Sequence, residues 1–251
     1  MSALPKRLVQ PSIDAQFVFT GRVEALGRNN LEGMPAAGNH AIVRVLDVLL
    51  SPSSLGELRG RSVTVVLSTK AAVGSIATFW ARNWVIGREL GVIELARQAG
   101  KAKLEVKSEL VDIRLRALDA KISERLKKAS AVVAGTVIHL KEVGVTPEGE
   151  GTFWWLAPIR VSATIAGVGD AEMQILFPGM GGPRWRLAPR FVLGQEAVWI
   201  LRAVPEDLPA GKLTDAVAFI ALEPEDVHAP SDAARLEALA SLSFKPQRSR
   251  K

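Results

Sequence analysis

Two short stretches interleave tryptophan with arginine: Trp80, Arg82 and Trp84 in FWARNW, and Arg184, Trp185 and Arg186 in RWR. An indole face beside a guanidinium suits stacking on nucleic-acid bases, and the same two side chains are favoured anchors of protein interfaces. A third aromatic group, Phe153, Trp154 and Trp155, follows the acidic run PEGEG. Neighbouring side chains on a strand face opposite ways, so if Trp155 starts a strand, Phe153 or Trp154 points the other way. The candidate interaction surface is therefore Trp80, Arg82, Phe153, Trp154, Arg184, Trp185 and Arg186. Packing comes first among its readings, with Trp84 and Phe191 inside the fold and Trp80 and Trp185 closing an end of it or meeting a sister unit. A protein-partner surface comes second and base stacking third.

Other chemistry is poorly supplied. The 251 residues include no Cys and three widely spaced His: His40, His139 and His228. That excludes disulfides, thiol nucleophiles, iron–sulfur clusters and cysteine zinc sites, and no H-x-x-x-H pair offers a histidine one. In FPGMGGPRWR the glycines (Gly179, Gly181, Gly182) are followed by Pro183 with no helix start, unlike a phosphate loop. No G-x-S-x-G elbow is present, and Ser68 and Ser75 have no candidate base nearby in sequence. The carboxylates of PEGEG, VPEDLP and EPEDVHAP lack the spacing of a calcium loop and read as solvated turns. The expectation is a non-enzyme with no catalytic residue, no cofactor and no metal.

The formal net charge of +6 invites a nucleic-acid reading. Its distribution argues otherwise. Residues 97–128 hold 10 basic and 5 acidic side chains, whereas 129–244 hold 8 against 14. Residues 8–96 are nearly balanced, and Lys245, Arg248, Arg250 and Lys251 make the end of the chain basic. A groove that tracks a nucleic-acid strand needs its cations on the binding face. Here the excess sits in a connector and a tail.

The elements that must position these residues repeat. FVFTGRVEAL (17–26) and AVVAGTVIHL (131–140) are apolar runs around a central Gly, Gly21 or Gly135, with Val23 or Val137 two residues on. NWVIGRELGVIELAR (83–97) pairs with RFVLGQEAVWILRA (190–203), each having two apolar residues before Gly87 or Gly194. Between them lie the strand-like runs 41–50 and 62–67, matched by 155–165 and 171–177. Gly inside a first strand marks a bulge or tight bend of the kind a barrel corner needs. Residues 104–115 can be counted as helix or strand; VDIRLR alternates and its counterpart AVAFIAL is strand-like, so a strand is expected over 110–117. From Leu118 the spacing of Leu118, Ile122, Leu126 and Ala129 predicts a helix. The organisation expected is an N-terminal extension (1–16), a first unit with its helix (17–129), a second with its helix (131–242) and a basic tail (243–251).

Short strands with many turns must hide their edges, and closure is the direct way. The fold class expected is mainly β, with two tandem OB-like small barrels, each carrying a C-terminal helix. The motifs FTGRV and VAGTV, with VIGRELGVI and VLGQEAVWIL leading into a closing strand, resemble netrin-like modules, the OB barrels typified by tissue inhibitors of metalloproteinases. That resemblance implies the barrel fold. The inhibitory mechanism it implies rests on an N-terminal Cys that this chain, starting at Met1, does not have.

The leading functional expectation is a non-catalytic, protein-binding adaptor or structural component of a larger assembly, with a protein partner or a homo- or hetero-oligomer. The alternatives are a single-stranded nucleic-acid binder and, last, a protease-inhibitor-like module. MSALPKRLVQPSIDAQ has no apolar signal core and no run of 18 apolar residues spans a bilayer, so a cytoplasmic protein is expected.

Overall fold

The computed structural model describes residues 4–86, 89–102, 104–145, 152–179, 185–205 and 218–244, the side chains at 83–86, 89, 104 and 218 excepted. The chain divides into two compact units, Met1–Ala117 and Leu118–Lys251.

In the first unit a short helix, α1 (Val9–Asp14), precedes five strands: β1 (Phe17–Leu26), β2 (His40–Leu50), β3 (Ser62–Val66), β4 (Ile76–Ile86) and β5 (Glu89–Ala99). They close into a barrel in the order β1-β2-β3-β5-β4, with β3 and β5 parallel and the other pairs antiparallel. Closure leaves no open edge to aggregate through. Alternate residues fill the interior, where Phe17, Phe19 and Phe79 stack with ring centroids 4.4 and 5.2 Å apart along the row. The opposite face of β1 and β4 carries Val18 and Trp80 under Leu8 of the N-terminal segment and Val106, Leu110 and Ile113 of helix α2 (Leu104–Leu126).

The second unit contains β6 (Ala131–Val137), β7 (Lys141–Val145), β8 (Phe153–Gly167), β9 (Glu172–Pro178), β10 (Glu196–Ala203), β11 (Ala218–Ile220), β12 (Val227–His228) and α3 (Ala233–Ser243). Its ring is β6-β8-β9-β11-β10, with β9 and β11 parallel, and it closes through β10–β11 and β10–β6. Strand for strand this is the order of the first barrel. β7 adds to β8 and β12 to β10 outside the ring. Val132, Val198 and Ile200 lie on the outer face under Ile122 and Leu126 of α2 and Leu236 and Ala240 of α3. The protein is mainly β, two closed five-stranded OB-like barrels, each followed by a helix.

Gly21 and Gly135 do the bending. In both first strands the register against the next strand shifts immediately before the glycine. A Cβ on Gly135 would overlap the Arg160 carbonyl oxygen, and one on Gly21 would overlap Val43 Cγ1. The repeat also reaches ahead of the first strand: Leu8, Ser12 and Ala15 are buried as Ile122, Leu126 and Ala129 are, at the same distances from Gly21 and Gly135.

Two expectations are corrected. Residues 110–117 are not a strand; α2 runs unbroken from Leu104 to Leu126. Val106, Leu110 and Ile113 are buried while Val111 and Leu115, which the alternation would place beside Ile113, are 51% and 45% exposed. No Gly or Pro interrupts the run, and Glu105 and Arg125 complement the helix dipole at its ends. The second correction concerns the fourth anchor. Gly194 N donates to Val137 O at 2.8 Å, and in the first unit it is Gly74, not Gly87, that donates to Val23 O at 2.8 Å. Both glycines turn with positive φ, 81° and 78°, so AAVGSIATFWA is the true counterpart of FVLGQEAVWIL.

Candidate interaction surface

That shift of register separates the two tryptophan–arginine stretches. Trp80 and Arg82 lie within β4, while Trp185 and Arg186 lie in the connection between β9 and β10, at no equivalent place. Trp80 is fully buried on the outer face of the first barrel, and its Nε1 donates to Ser12 Oγ at 3.0 Å. Ser12 in turn donates to Leu8 O at 2.7 Å. Trp80 is therefore a core residue and is corrected out of the surface; its polar atom is satisfied inside the fold, as burial requires. Arg82 is exposed on the same strand. Arg184 lies outside the described residues, as do Gly181, Gly182 and all the carboxylates of PEGEG and VPEDLP, and the side chain of Trp84 is likewise undescribed.

In the second barrel the described candidates divide: Trp154 is buried and, like Trp80, is corrected out of the surface, Trp185 packs on it, and Phe153 and Arg186 are exposed. The alternation along β8 puts Trp154 on the outer face, where it is 2% exposed, and leaves Phe153 46% exposed. Trp185 meets Trp154 edge to face, with centroids 5.5 Å apart, and stays half-buried. Such pairs add about 0.5–1.5 kcal/mol beyond their buried area. The indole is therefore held rigidly. Arg186 and Leu187 follow it into solvent, Leu187 72% exposed. Val145, opposite Phe153 in the β7–β8 ladder, is 42% exposed.

The residue that holds this segment was not singled out from the sequence. Arg190 donates through Nη1 to Pro178 O at 2.6 Å and through Nη2 to Trp185 O at 3.4 Å, tying the end of β9 to the tryptophan. Its signal was present as the last arginine of RWRLAPR, five residues beyond Trp185. Phe191 packs inward against Phe177 at 4.5 Å, closing that end of the barrel.

The outer face of strands two and three, where OB barrels hold oligonucleotides, has a different character in each unit. On β2 and β3 it carries Ile42, Arg44, Ser62 and Val66, with Thr64 buried under Asn30 and Arg44 paired to Glu24 at 3.1 Å. On β8 and β9 Trp154, Leu156 and Leu176 are buried in an apolar cluster with Ile220. Neither presents an exposed row of aromatic and basic side chains among the described residues. No group of three or more His, Asp or Glu is placed to hold a metal ion among the described residues, and none of the described helices is long and apolar enough to cross a membrane. No protein-family model matches the chain, and no curated protein matches it either.

Proposed function

We propose that the protein is a non-catalytic, protein-binding module whose docking surface surrounds Trp185 in the second barrel. One observation carries this: a tryptophan packed on a buried neighbour is followed directly by an exposed arginine and an exposed leucine, Arg186 and Leu187. Rigid indole and guanidinium anchors amid apolar surface are the composition of protein-interface centres, whereas an oligonucleotide requires a basic, aromatic-lined track. Protease inhibition is not part of this reading, since the mechanism implied by the netrin-like resemblance needs a cysteine the chain does not contain.

The test is site-specific photocrosslinking on the full chain, with benzoylphenylalanine at Leu187. A discrete protein adduct from host extract, lost in the double variant Trp185→Ala/Arg186→Ala, is the expected result. Saturable, salt-dependent binding of a single-stranded oligonucleotide that Arg186→Ala removes would overturn it in favour of nucleic acid.

A further inference from the structure

The two barrels, built on one strand order, differ at the same end. Three aromatic side chains fill that end of the second barrel: Trp155 and Phe177, cross-strand neighbours on β8 and β9, and Phe191 against Phe177. The strand registers place Asn39 and Leu67, and the matched turns at Gly74 and Gly194 place Ala71, at the corresponding positions of the first barrel. Asn39 O accepts from Leu67 N at 2.8 Å, as the Trp155–Phe177 pairing requires of its counterpart. The aromatic volume is missing, and a cavity of about 510 Å³ stands there, lined by Leu26, Asn39, Leu67, Thr69, Lys70 and Ala71 among others. That lies in the size range of small-molecule sites, about 300–1,000 Å³.

The chain behind this wall is also different. One residue past the paired positions, where the second barrel has Ala221, the first has Glu94, and Arg97 follows it beyond a bulge in β5. Glu94 is 99% enclosed at its side chain (1% exposed) and faces Arg97 Nε at 3.7 Å, with Ser68 N donating to it at 3.3 Å. Arg97 Nη2 donates to Thr69 Oγ1 at 2.8 Å and to Lys70 O at 2.7 Å, so the guanidinium holds the cavity's own wall in place. Its Nη1 is buried with no partner. Glu94 and Arg97 cancel one another, and Lys70 has no carboxylate partner among the described residues. The wall thus combines an apolar part (Leu26, Leu67, Ala71), hydrogen-bonding groups (Asn39, Thr69) and one net positive charge.

We propose that the open end of the first barrel binds a short apolar monocarboxylate, either a free acid or the C-terminus of a peptide. The apolar body replaces the aromatic plug of the second barrel, and the carboxylate pairs with Lys70. This site is independent of the Trp185 surface.

Calorimetric titration of the full chain with 4-methylpentanoate, 4-methylpentanamide and N-acetyl-Gly-Gly-Leu tests it. The acid or the peptide binds saturably with Kd of about 1 mM or tighter, and the amide at least about tenfold more weakly. Lys70→Gln weakens binding about tenfold, as loss of a carboxylate partner requires. Ala71→Phe, which restores the residue of the second barrel, abolishes it. A peptide preferred about tenfold or more over the acid identifies a chain terminus; equal or better binding of the acid identifies a free metabolite. Absence of saturable binding of both up to about 10 mM, equal binding of the amide, or binding unchanged in Lys70→Gln overturns the proposal.

Discussion

Asp226 ties the turn after β11 to α2, and replacing it with Asn has a cost that follows from its surroundings. Its carboxylate is fully buried and accepts four hydrogen bonds: from Arg125 Nε and Nη2, both at 2.8 Å, from Leu222 N at 2.9 Å and from Glu223 N at 3.0 Å. The first two are bidentate and charge-assisted; the others fix the turn that leads out of β11. Arg202 stands close by, its guanidinium held below its ordinary range by burial and then by the charge of Arg125, while Asp226 and Glu223 pull it back up. Asp226→Asn leaves two guanidinium groups facing each other without their counter-charge and turns an acceptor oxygen into a donor. Breaking one partner of a buried pair costs about 3–5 kcal/mol, a large share of a total stability of roughly 5–15 kcal/mol. The neighbouring pair Lys121–Glu225, at 3.6 Å with the lysine 65% exposed, is the control, since exposed pairs contribute about 0–1 kcal/mol. Urea unfolding followed by tryptophan fluorescence, with hydrogen exchange on β10, separates the two cases. Asp226→Asn shifts the second unit's transition and accelerates exchange on β10; Glu225→Gln does neither. The double variant Arg125→Met/Asp226→Leu recovers only part of the loss, because it removes the stranded Arg125 charge but leaves Arg202 without Asp226 and the Leu222 and Glu223 N–H groups without their acceptor. If Asp226→Asn unfolds within about 1 kcal/mol of the parent chain, the carboxylate is no anchor and the reasoning fails.

Two further predictions concern the frame. Gly135→Ala destabilises the second unit by more than Gly21→Ala destabilises the first, because its Cβ meets the backbone of Arg160 whereas that of Gly21 first meets the tip of Val43. Overpacking against a side chain costs about 1–3 kcal/mol, and calorimetry showing the opposite ranking would refute the bend assigned to these glycines. On α2, Val111→Lys stays within about 0.5 kcal/mol of the parent while Ile113→Lys costs more than about 3 kcal/mol by stranding a charge in the core. Equal losses at both positions, read by urea unfolding, would restore the strand that their alternation suggests.

The barrels were legible because their signals are local. Gly21 and Gly135 sit at the centres of apolar runs, and the β-branched density of Ser62–Val66 needs no partner to announce a strand. The errors arose where the deciding contact is distant. Two apolar residues precede a glycine both at Ala72–Val73–Gly74 and at Val85–Ile86–Gly87, and only the bond from Gly74 to Val23 selects the first. Trp80 entered the surface candidates on its alternation with arginine, with packing first among its readings, and packing is what the structure shows, under α1 and α2. The buried position of α1 is Ser12, which becomes tolerable only by accepting the indole N–H. The helix over 104–117 was obscured by three apolar residues at odd positions, two of which face solvent.

The internal repeat supplies a criterion for separating fold from function. At Ser12 and Trp80 the second unit has Leu126 and Ile200, and all four are fully buried, so the exchange of a hydrogen-bonded pair for an apolar pair preserves what the fold needs. At Asn39, Leu67 and Ala71 the exchange with Trp155, Phe177 and Phe191 does not preserve it: one barrel end is plugged and the other is hollow over a buried ion pair. An open end leaves apolar wall in contact with water, and burying a carboxylate and a guanidinium is a second cost close by. The second barrel shows that the same strand order can be built with neither. Costs that the architecture does not impose point to a ligand, which is why the first barrel's open end, with Lys70 at its rim, is proposed to take an apolar carboxylate, free or at a peptide C-terminus, apart from the surface proposed around Trp185.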